Sequence, residues 1–258
     1  MKHRARALAV SPTPQAQAAA AELRESYPWV PLDEADMVVA LGGDGFMLQT
    51  LHQMLERRGD PLPVFGLNLG TVGFLMNEWR REGLDDRIAA AKAFRVTPLS
   101  MTARTTAGET VQLPAINEVS LLRETRQTAK LEVLVNDRLV IPELAGDGVL
   151  AATPAGSTAY NYSVQGPILP LGSALLALTP ISPFRPRRWR GAILPDRARI
   201  TINVREAGKR PVSAVADQRE VRDVTRVEIA IDKTRELTLL FDPEHALDDR
   251  ITMEQFLA

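Results

Sequence analysis

Residues Met37–Gly45 read MVVALGGDG, and this stretch decides the first part of the fold. A short apolar run ends abruptly at the GGDG loop of residues 42–45, and an amphipathic pattern over Phe46–Arg57 follows at once. This order predicts a strand, a glycine loop and a helix. Glycines allow backbone N–H groups to approach a phosphate closely, and the start of a helix adds a favourable dipole.

Asp44 is the unusual residue of this loop. A loop that only held phosphate would gain nothing from a carboxylate, so Asp44 indicates chemistry or a metal ion beside the phosphates. An aspartate in this place also caps helices in ordinary strand-to-helix turns. From the loop alone, a structural turn and a functional site both remain open.

The composition indicates a globular protein and excludes several classes of site. With 258 residues, 45% of them hydrophobic, the chain can form one large domain or two small ones. A net charge of −1 gives no electrostatic reason for a nucleic-acid partner. The absence of cysteine excludes disulfides, thiolate metal sites and a cysteine nucleophile, and it fits a cytoplasmic location. No segment approaches the ~20 apolar residues that span a bilayer, so we expect no membrane partner.

The first 96 residues alternate between strand and helix patterns, which predicts a largely parallel sheet covered by helices. We expect this α/β domain to span residues 1–96 and the C-terminal tail, residues 242–258, to pack back on it. The predicted strands are Arg6–Val10, Met37–Leu41 and Val64–Leu67, and the predicted helices are Pro14–Glu25, Phe46–Arg57 and Leu84–Ala93.

After Pro98 the pattern changes to short strands of period two, which predicts a sandwich of antiparallel sheets over residues 97–241. Asn136-Asp137 is typical of a hairpin turn, and Thr252–Leu257 is predicted as a final helical turn. The candidate strands are Ser100–Arg104, Glu118–Leu122, Lys130–Asn136, Arg138–Ile141, Gly148–Ala152, Ala198–Val204, Pro211–Val215, Arg226–Ile231 and Glu236–Phe241.

A second constellation lies in Gly146–Pro170, which contains a Gly-Asp-Gly and then TPAGSTAY over Thr153–Tyr160. Its proline and glycine predict a turn, and Ser157 and Thr158 are good N-cap residues for a helix through Tyr160 and Tyr162. Hydroxyls and N–H groups at a helix start bind polar or anionic ligands, and a tyrosine can stack on a base. Taken alone, the stretch is better explained as a capped helix after a turn, with two core tyrosines.

Asn117-Glu118, at the start of a predicted strand, is a third point of interest, because an amide beside a carboxylate can hold a ribose diol or an amide group. Two exposed polar residues at a strand edge are the simpler explanation. The basic cluster Pro183–Arg190 is interpreted as a solvated loop, with anion binding as the weaker alternative. No Walker A sequence occurs, Ser157 has no base near it in sequence, and the three histidines lie outside these stretches.

The three stretches together, in this order, resemble the NAD kinase family over about residues 37–217. GGDG resembles the family's phosphate loop, Asn68–Leu75 its GxNxGxxGFL segment, Asn117-Glu118 its Asn-Glu pair, and Gly146–Tyr160 its GDG…TPxGSTAY signature. The resemblance implies a Rossmann-like N-terminal α/β domain, a C-terminal β-sandwich domain and a homodimer or homotetramer. It also implies a phosphotransferase that moves the terminal phosphoryl of ATP, with Mg²⁺, to the 2′-hydroxyl of the adenosine ribose of NAD to make NADP.

The resemblance also implies roles for individual residues. Asp44 corresponds to the general base, although a metal or water ligand remains open, and we expect the motifs to converge in a cleft between the domains. No protein residue is assigned as a metal ligand. The residues expected to contact phosphate or dinucleotide are Gly42, Gly43, Asp44, Gly45, Asn68, Phe74, Asn117, Glu118, Asp147, Thr158, Ala159, Tyr160 and Ser163.

Two positions depart from the family's usual pattern, and two other functions remain open. Val164-Gln165 replaces a common Ala-Gly, and Ala216-Asp217-Gln218 stands where many members have Asp-Gly. Lipid kinases of the diacylglycerol or sphingosine type share a GGDG loop, but the polar TPAGSTAY stretch followed by Asn161 favours a nucleotide kinase. A non-catalytic dinucleotide sensor is the other alternative. The sequence does not decide whether ATP or polyphosphate is the phosphoryl donor, or whether NAD or NADH is the acceptor. It also does not decide the oligomeric state or allosteric regulation.

Overall fold

The computed structural model describes residues 5–70 and 73–243, which form two compact units. The first unit combines the chain up to Val96 with the chain from Arg235 onward, and the second is Thr97–Thr234. The predicted turn at Thr252–Leu257, and nearly all of the tail expected to pack on the first domain, lie outside the described residues.

The first unit is an α/β layer structure. Its strands and helices are β1 (Arg6–Val10), α1 (Pro14–Ser26), β2 (Met37–Gly42), α2 (Asp44–Glu56), β3 (Val64–Asn68), β4 (Asn77–Glu78), α3 (Leu84–Ala90), β5 (Lys92–Val96) and, from the end of the chain, β18 (Leu237–Phe241), with a short 3₁₀ turn at Leu32–Glu34. The sheet has the strand order β1-β2-β3-β18-β5, and β4 pairs with β3. Its pairs are parallel except β18 with β5.

Local sequence explains the elements that carry the glycine loop. All six residues of β2 are buried, as expected for the continuous apolar run of a central parallel strand. Helix α2 buries an apolar face that includes Met47, Leu51 and Met54 against the sheet, which holds its first residue at the end of β2. Thr13 caps α1, with Pro14 at the first helical position.

The structure differs from the sequence prediction at the start of α2, at the end of α3 and in the placement of one strand. Helix α2 begins at Asp44 rather than Phe46, so the aspartate belongs to the first turn of the helix. Helix α3 ends at Ala90, and the next residues form the edge strand β5, whose mostly exposed side chains give no burial pattern to recognise. The strand assigned to the second domain at Glu236–Phe241 is β18, which pairs with β3 and β5, because strand pattern carries no information on sheet membership.

The second unit consists of two six-stranded antiparallel sheets. Its elements are β6 (Leu99–Thr105), β7 (Thr110–Ala115), β8 (Glu118–Arg123), β9 (Ala129–Val135), β10 (Arg138–Gly146), β11 (Gly148–Ala152), a 3₁₀ turn (Ala155–Thr158), α4 (Tyr160–Ser163), β12 (Leu175–Ile181), β13 (Ala192–Pro195), β14 (Ile200–Val204), β15 (Val212–Ala216), β16 (Arg219–Val221) and β17 (Val224–Ile231). One sheet has the order β10-β9-β14-β17-β6-β7 and the other β13-β12-β11-β8-β15-β16.

The two sheets share one apolar core, so this unit is a sandwich, as predicted. Buried residues of both sheets, such as Met101 of β6 and Leu121 of β8, belong to the same cluster. The predicted hairpin is present, with Asn136 and Asp137 at φ 50° and 62° between β9 and β10, as a tight turn with left-handed residues requires. Strands β7, β12, β13 and β16 had no counterpart in the sequence prediction.

Among the described helices, none combines the length and the apolar character that crossing a membrane requires.

Candidate active site

Asp44 is held at the start of α2 by the loop that follows β3. Its carboxylate accepts hydrogen bonds from the backbone N–H groups of Phe74 at 2.7 Å and Leu75 at 3.0 Å. Gly73 makes this approach possible, because a Cβ there would lie 2.7 Å from Asp44 Oδ1. The glycine of the GFL sequence therefore has a physical purpose: it allows the backbone to hold the carboxylate in a fixed orientation.

The glycines of the GGDG loop differ in what surrounds them. At Gly42 a Cβ would lie 2.9 Å from the Cβ of Phe46, so packing within the unit excludes a side chain. At Gly43 and Gly45 no described atom lies within 4 Å of the position that a Cβ would take. Intramolecular packing therefore explains Gly42 but leaves the other two glycines to be explained by what approaches the loop.

The two glycine loops of the first unit are joined by main-chain contacts. The N–H of Leu69 donates to the carbonyl of Gly42 at 2.7 Å, and the N–H of Gly70 donates to the Asn68 side chain at 3.1 Å. The predicted residues Gly42, Gly43, Asp44, Gly45, Asn68 and Phe74 therefore lie together in one region of this unit.

The Asn117-Glu118 segment is held by Thr153–Thr158, which we call the TPAGST turn, although about 40 residues separate the two segments in sequence. The Thr153 hydroxyl donates to the Ile116 carbonyl at 2.7 Å, and the Thr153 N–H donates to the Asn117 carbonyl at 2.9 Å. Gly156 packs directly on this carbonyl, since a Cβ there would lie 2.2 Å from the Asn117 oxygen. The Asn-Glu pair and the TPAGST turn therefore form one cluster within the second unit.

Two oxygen atoms of this cluster are buried without a hydrogen-bond partner among the described residues: Asn117 Oδ1 and Glu118 Oε2. A buried polar atom without a partner destabilises the fold, and such atoms are commonly satisfied by a ligand or water. Burial, together with the negative charge of Asp217, raises the pKa of the Glu118 carboxyl from 4.5 to about 8. The cluster thus presents polar oxygen atoms, one of them on a carboxyl group that is protonated at neutral pH.

The raised pKa of Glu118 makes the stability of the second unit depend on pH. Between pH 4.5 and about 8 the unfolded chain loses the proton that the folded chain retains, so stability falls as pH rises through this window and then levels off. We expect Glu118→Gln to raise the melting temperature by about 3 °C or more near pH 9, and by less near pH 5. Thermal unfolding across this range measures it.

Glu109→Gln, an exposed glutamate before β7, is the matched control and should show no such trend. A difference between Glu118→Gln and the parent protein that stays constant with pH would contradict the assignment.

Tyr160 and Asp147 lie near this cluster. Tyr160 is half-buried against an apolar group that includes Leu150, and its pKa is raised by burial and by the charges of Glu118 and Asp147. Asp147 is paired with Arg123, whose Nε lies 2.6 Å from its Oδ1. The sequence analysis did not identify Arg123, which lies at the end of β8 and carries no motif signal.

Ser157 and Asn161 are structural residues rather than ligand contacts. Ser157 does not cap a helix as predicted: its hydroxyl donates to the Pro154 carbonyl and accepts from the Leu169 N–H, within the core. Asn161 is buried and bonds to Ser157, Pro167 and Thr179. Its polarity therefore serves the fold, and it does not support a choice between substrates. Tyr162 is exposed rather than in the core.

A cavity of about 340 Å³ in the second unit adjoins the end of α4. It is lined by Ser163, Val164, Gln165, Pro180, Ser182, Pro183, Trp189 and Arg190. The departure at Val164-Gln165 places Gln165 at φ 63°, a left-handed conformation that the family's usual glycine adopts without strain. The four arginines of Pro183–Arg190 are exposed, and within the described chain none forms an ion pair, consistent with a solvated loop.

The acidic and histidine side chains were compared with the arrangement that a metal ion requires. Within residues 5–70 and 73–243, no group of three or more histidine or acidic side chains is arranged to hold a cation.

The site residues form two groups, one in each unit. The first holds a carboxylate at a glycine loop and a helix start, and the second presents Asn117, Glu118, Asp147 and Tyr160 beside the TPAGST turn. An α/β unit with a GGDG loop at a helix start, together with an antiparallel sandwich, is the arrangement that the sequence resemblance implies for a phosphotransferase.

Comparison with known families gives the particular member of this class. Residues 4–84 match the ATP-NAD kinase N-terminal domain, and residues 116–247 match the ATP-NAD kinase C-terminal domain. The chain belongs to the ATP-NAD kinase family.

Curated relatives agree with this assignment. The chain is 68% identical over 250 residues to an NAD kinase of Rhizorhabdus wittichii, with 97% of each chain covered. It is 63% identical over 256 residues to an NAD kinase of Zymomonas mobilis, with 99% of each chain covered. The predicted family and the predicted class of enzyme, a phosphotransferase with an alcohol acceptor, are confirmed.

Solved structures support the fold. Yeast NADH kinase complexed with NADH has a TM-score of 0.83 at 22% identity, covering 99% of this chain and 88% of that one. An NAD kinase from Archaeoglobus fulgidus in complex with ATP has a TM-score of 0.76 at 22% identity, covering 98% and 99%. The predicted combination of an α/β unit and an antiparallel β unit is confirmed.

Proposed function

We propose that this chain phosphorylates NAD with ATP to give NADP, and that Asp44 is the general base for the accepting ribose hydroxyl. The observation that carries the proposal is the fixed carboxylate at the start of α2, held by the N–H groups of Phe74 and Leu75. Phosphoryl transfer depends mainly on positioning and on charge stabilisation, so a preoriented base serves it well. Asp44 would take the proton of the 2′-hydroxyl of the adenosine ribose as the bond to phosphorus forms.

The phosphates of ATP are assigned to the GGDG loop. Gly43 is the N-cap of α2 and no side chain caps this helix start, whose dipole favours an anion. No described atom lies within 4 Å of a Cβ placed at Gly43 or Gly45, so phosphate oxygens could approach the backbone there. Asn68, which lies beside this loop, would contact either ATP or the ribose of NAD that accepts the phosphoryl group.

The described residues do not fit a Mg²⁺ site built by the protein. No cluster of three acidic or histidine side chains exists among them, and Asp44 already receives two backbone N–H groups. We therefore assign Mg²⁺ to the substrate, as the MgATP complex in which phosphate oxygens supply its ligands. No chemical step of the protein is assigned to the ion.

The dinucleotide is assigned to the second unit. The unpartnered oxygens of Asn117 and Glu118 are suited to donors such as ribose hydroxyls or an amide group. Tyr160 offers an aromatic face for a base, and Ser163 lines the adjoining cavity. For Asp147, Thr158 and Ala159 of this unit, and for Phe74 of the first unit, we propose the ligand contacts that the family resemblance implies.

Product analysis tests this function directly. The purified protein is incubated with ATP and Mg²⁺ and with either NAD, NADH or diacylglycerol, and the products are separated. NADP is the expected product; phosphorylated lipid would support the lipid-kinase alternative, and tight NAD binding without any product would support a non-catalytic sensor. Replacing ATP by polyphosphate in the same assay identifies the donor.

We expect Gly43→Ala and Gly45→Ala each to raise the KM for ATP about tenfold or more while leaving the KM for NAD nearly unchanged. A methyl group at either position would have no described atom within 4 Å, so we expect the fold to be retained, but it would occupy the path by which phosphate reaches the backbone. Initial rates at varied ATP and at varied NAD measure the two constants.

Gly208→Ala is the matched control, because it lies in the second unit and again no described atom lies within 4 Å of the added methyl group. An unchanged KM for ATP in both loop variants would contradict the proposal that the phosphates of ATP bind at the GGDG loop.

The assembly and the location remain proposals. We propose a homodimer or homotetramer, as the family resemblance implies, which light scattering of the purified protein tests. A cytoplasmic location rests on the absence of cysteine and on the family.

A further inference from the structure

Asp217 makes contacts that its place in the sequence does not predict. It follows β15 in the turn to β16, and its φ of 53° lies in the left-handed region. Its carboxylate accepts the N–H groups of three consecutive residues: Ile116 at 2.7 Å, Asn117 at 2.9 Å and Glu118 at 3.2 Å. Its own N–H donates to the Glu118 carbonyl at 3.1 Å. One residue thus binds the whole backbone turn between β7 and β8.

The same backbone turn carries the two unpartnered oxygens, Asn117 Oδ1 and Glu118 Oε2. Thr153 of the TPAGST turn holds this segment as well, because it donates hydrogen bonds to the carbonyls of Ile116 and Asn117. With both the N–H groups and the carbonyls engaged within the protein, the side chains of Asn117 and Glu118 have a fixed base from which to meet a ligand. Two orphaned acceptors on a rigid backbone are the expected features of a preorganised binding site.

We propose that Asp217 is a positioning residue of the dinucleotide site: it fixes the Ile116–Glu118 backbone so that Asn117 and Glu118 present their side-chain oxygens to NAD. This inference rests on the proposed function, since NAD is taken as the ligand. Asp217 itself is not assigned a contact with NAD.

The charge of Asp217 adds a second effect on the same site. Together with burial it raises the pKa of Glu118 to about 8, so that near neutral pH the carboxyl group carries a proton and both donates and accepts hydrogen bonds. Among the described residues, Tyr160 of α4 also interacts electrostatically with Glu118, and Tyr160 in turn interacts with Asp147, the ion-pair partner of Arg123. Ionised Glu118 would repel the diphosphate of NAD, so affinity for NAD should fall as pH rises through about 8.

The test compares Asp217→Asn with the parent protein by calorimetric titration with NAD and by initial-rate kinetics over a range of pH. Asparagine tolerates the left-handed backbone, so the turn is retained, but it lacks the charge and one of the two accepting oxygens. The matched control is Asp223→Asn, an exposed aspartate that also has a positive φ, of 54°, in the turn before β17.

We expect Asp217→Asn to raise the dissociation constant and the KM for NAD about tenfold or more, with the KM for ATP nearly unchanged. The pH at which NAD affinity falls should move to a lower value, because Glu118 loses a neighbouring negative charge. Amide hydrogen exchange of Ile116, Asn117 and Glu118 should become faster in the ligand-free protein. The Asp223→Asn control should change none of these quantities.

An Asp217→Asn protein with unchanged NAD affinity, or with weaker affinity but the original pH dependence, would overturn the proposal, because a merely structural role does not move that midpoint. If Asp217→Asn does not fold, Asp217→Gly takes its place in the same measurements, since glycine also tolerates the turn. A parent protein that binds NAD but makes no NADP would overturn the proposed function and leave the role of Asp217 decided by the titration.

Discussion

Asp44→Asn is expected to reduce kcat about 10²–10⁴-fold while leaving the dissociation constant for NAD close to that of the parent protein. Asparagine has nearly the same shape and retains one oxygen for the N–H groups of Phe74 and Leu75, but it does not accept the proton of the ribose hydroxyl. Steady-state kinetics with ATP and NAD, together with calorimetric titration of NAD, separate the loss of chemistry from a loss of binding.

Asp86→Asn is the matched control for this substitution. Asp86 is an exposed aspartate in the first turn of α3, so its replacement removes a charge from a helix start without touching the GGDG loop. Near-normal turnover of Asp44→Asn would contradict the role of general base.

Gly156→Ala is expected to lower the free energy of unfolding of the second unit by about 2 kcal/mol or more and to raise the KM for NAD about tenfold. A Cβ at this position would lie 2.2 Å from the carbonyl oxygen of Asn117, a backbone atom that cannot rotate away. The TPAGST turn and the Asn117-Glu118 segment must therefore separate. Denaturant unfolding and initial-rate kinetics measure the two effects.

Gly208→Ala again serves as control, since no described atom lies within 4 Å of the added methyl group. Its stability should equal or slightly exceed that of the parent, because alanine lowers the entropy of the unfolded chain. If Gly156→Ala unfolds like the control and binds NAD normally, the turn does not support the Asn-Glu pair. A loss of stability with unchanged KM would restrict Gly156 to the fold.

Much of the first unit was predictable because its signals are local. The apolar run of β2, the glycine loop and the amphipathic face of α2 are adjacent in sequence, and each follows from periodicity or from backbone freedom. The hairpin at Asn136-Asp137 was predictable for the same reason. By contrast, β5 was missed because an exposed edge strand has no burial pattern, and β18 was placed in the wrong sheet because pairing partners leave no local trace.

In the candidate site, too, the residues with a local sequence signal were predictable and their long-range contacts were not. Motifs in the sequence identified Asp44, Asn117, Glu118 and the TPAGST turn. They did not show that the N–H groups of Phe74 and Leu75 hold Asp44, or that Ser157 and Asn161 are structural residues of the core. The residue type alone fixes the chemistry of a side chain, whereas its hydrogen-bond partners depend on which distant segments the fold brings together.

The sequence alone therefore determined the family and the two kinds of structural unit, and it predicted the candidate site residues, since each depends on residue type and short-range spacing. Only the tertiary structure decided that Asp217 binds the backbone of Ile116–Glu118, about a hundred residues earlier in the chain. Only folding buries the Glu118 carboxyl and brings it close to a second negative charge, which together raise its pKa to about 8. Burial and the proximity of distant charges are properties of the folded chain, and no local pattern of residues contains them.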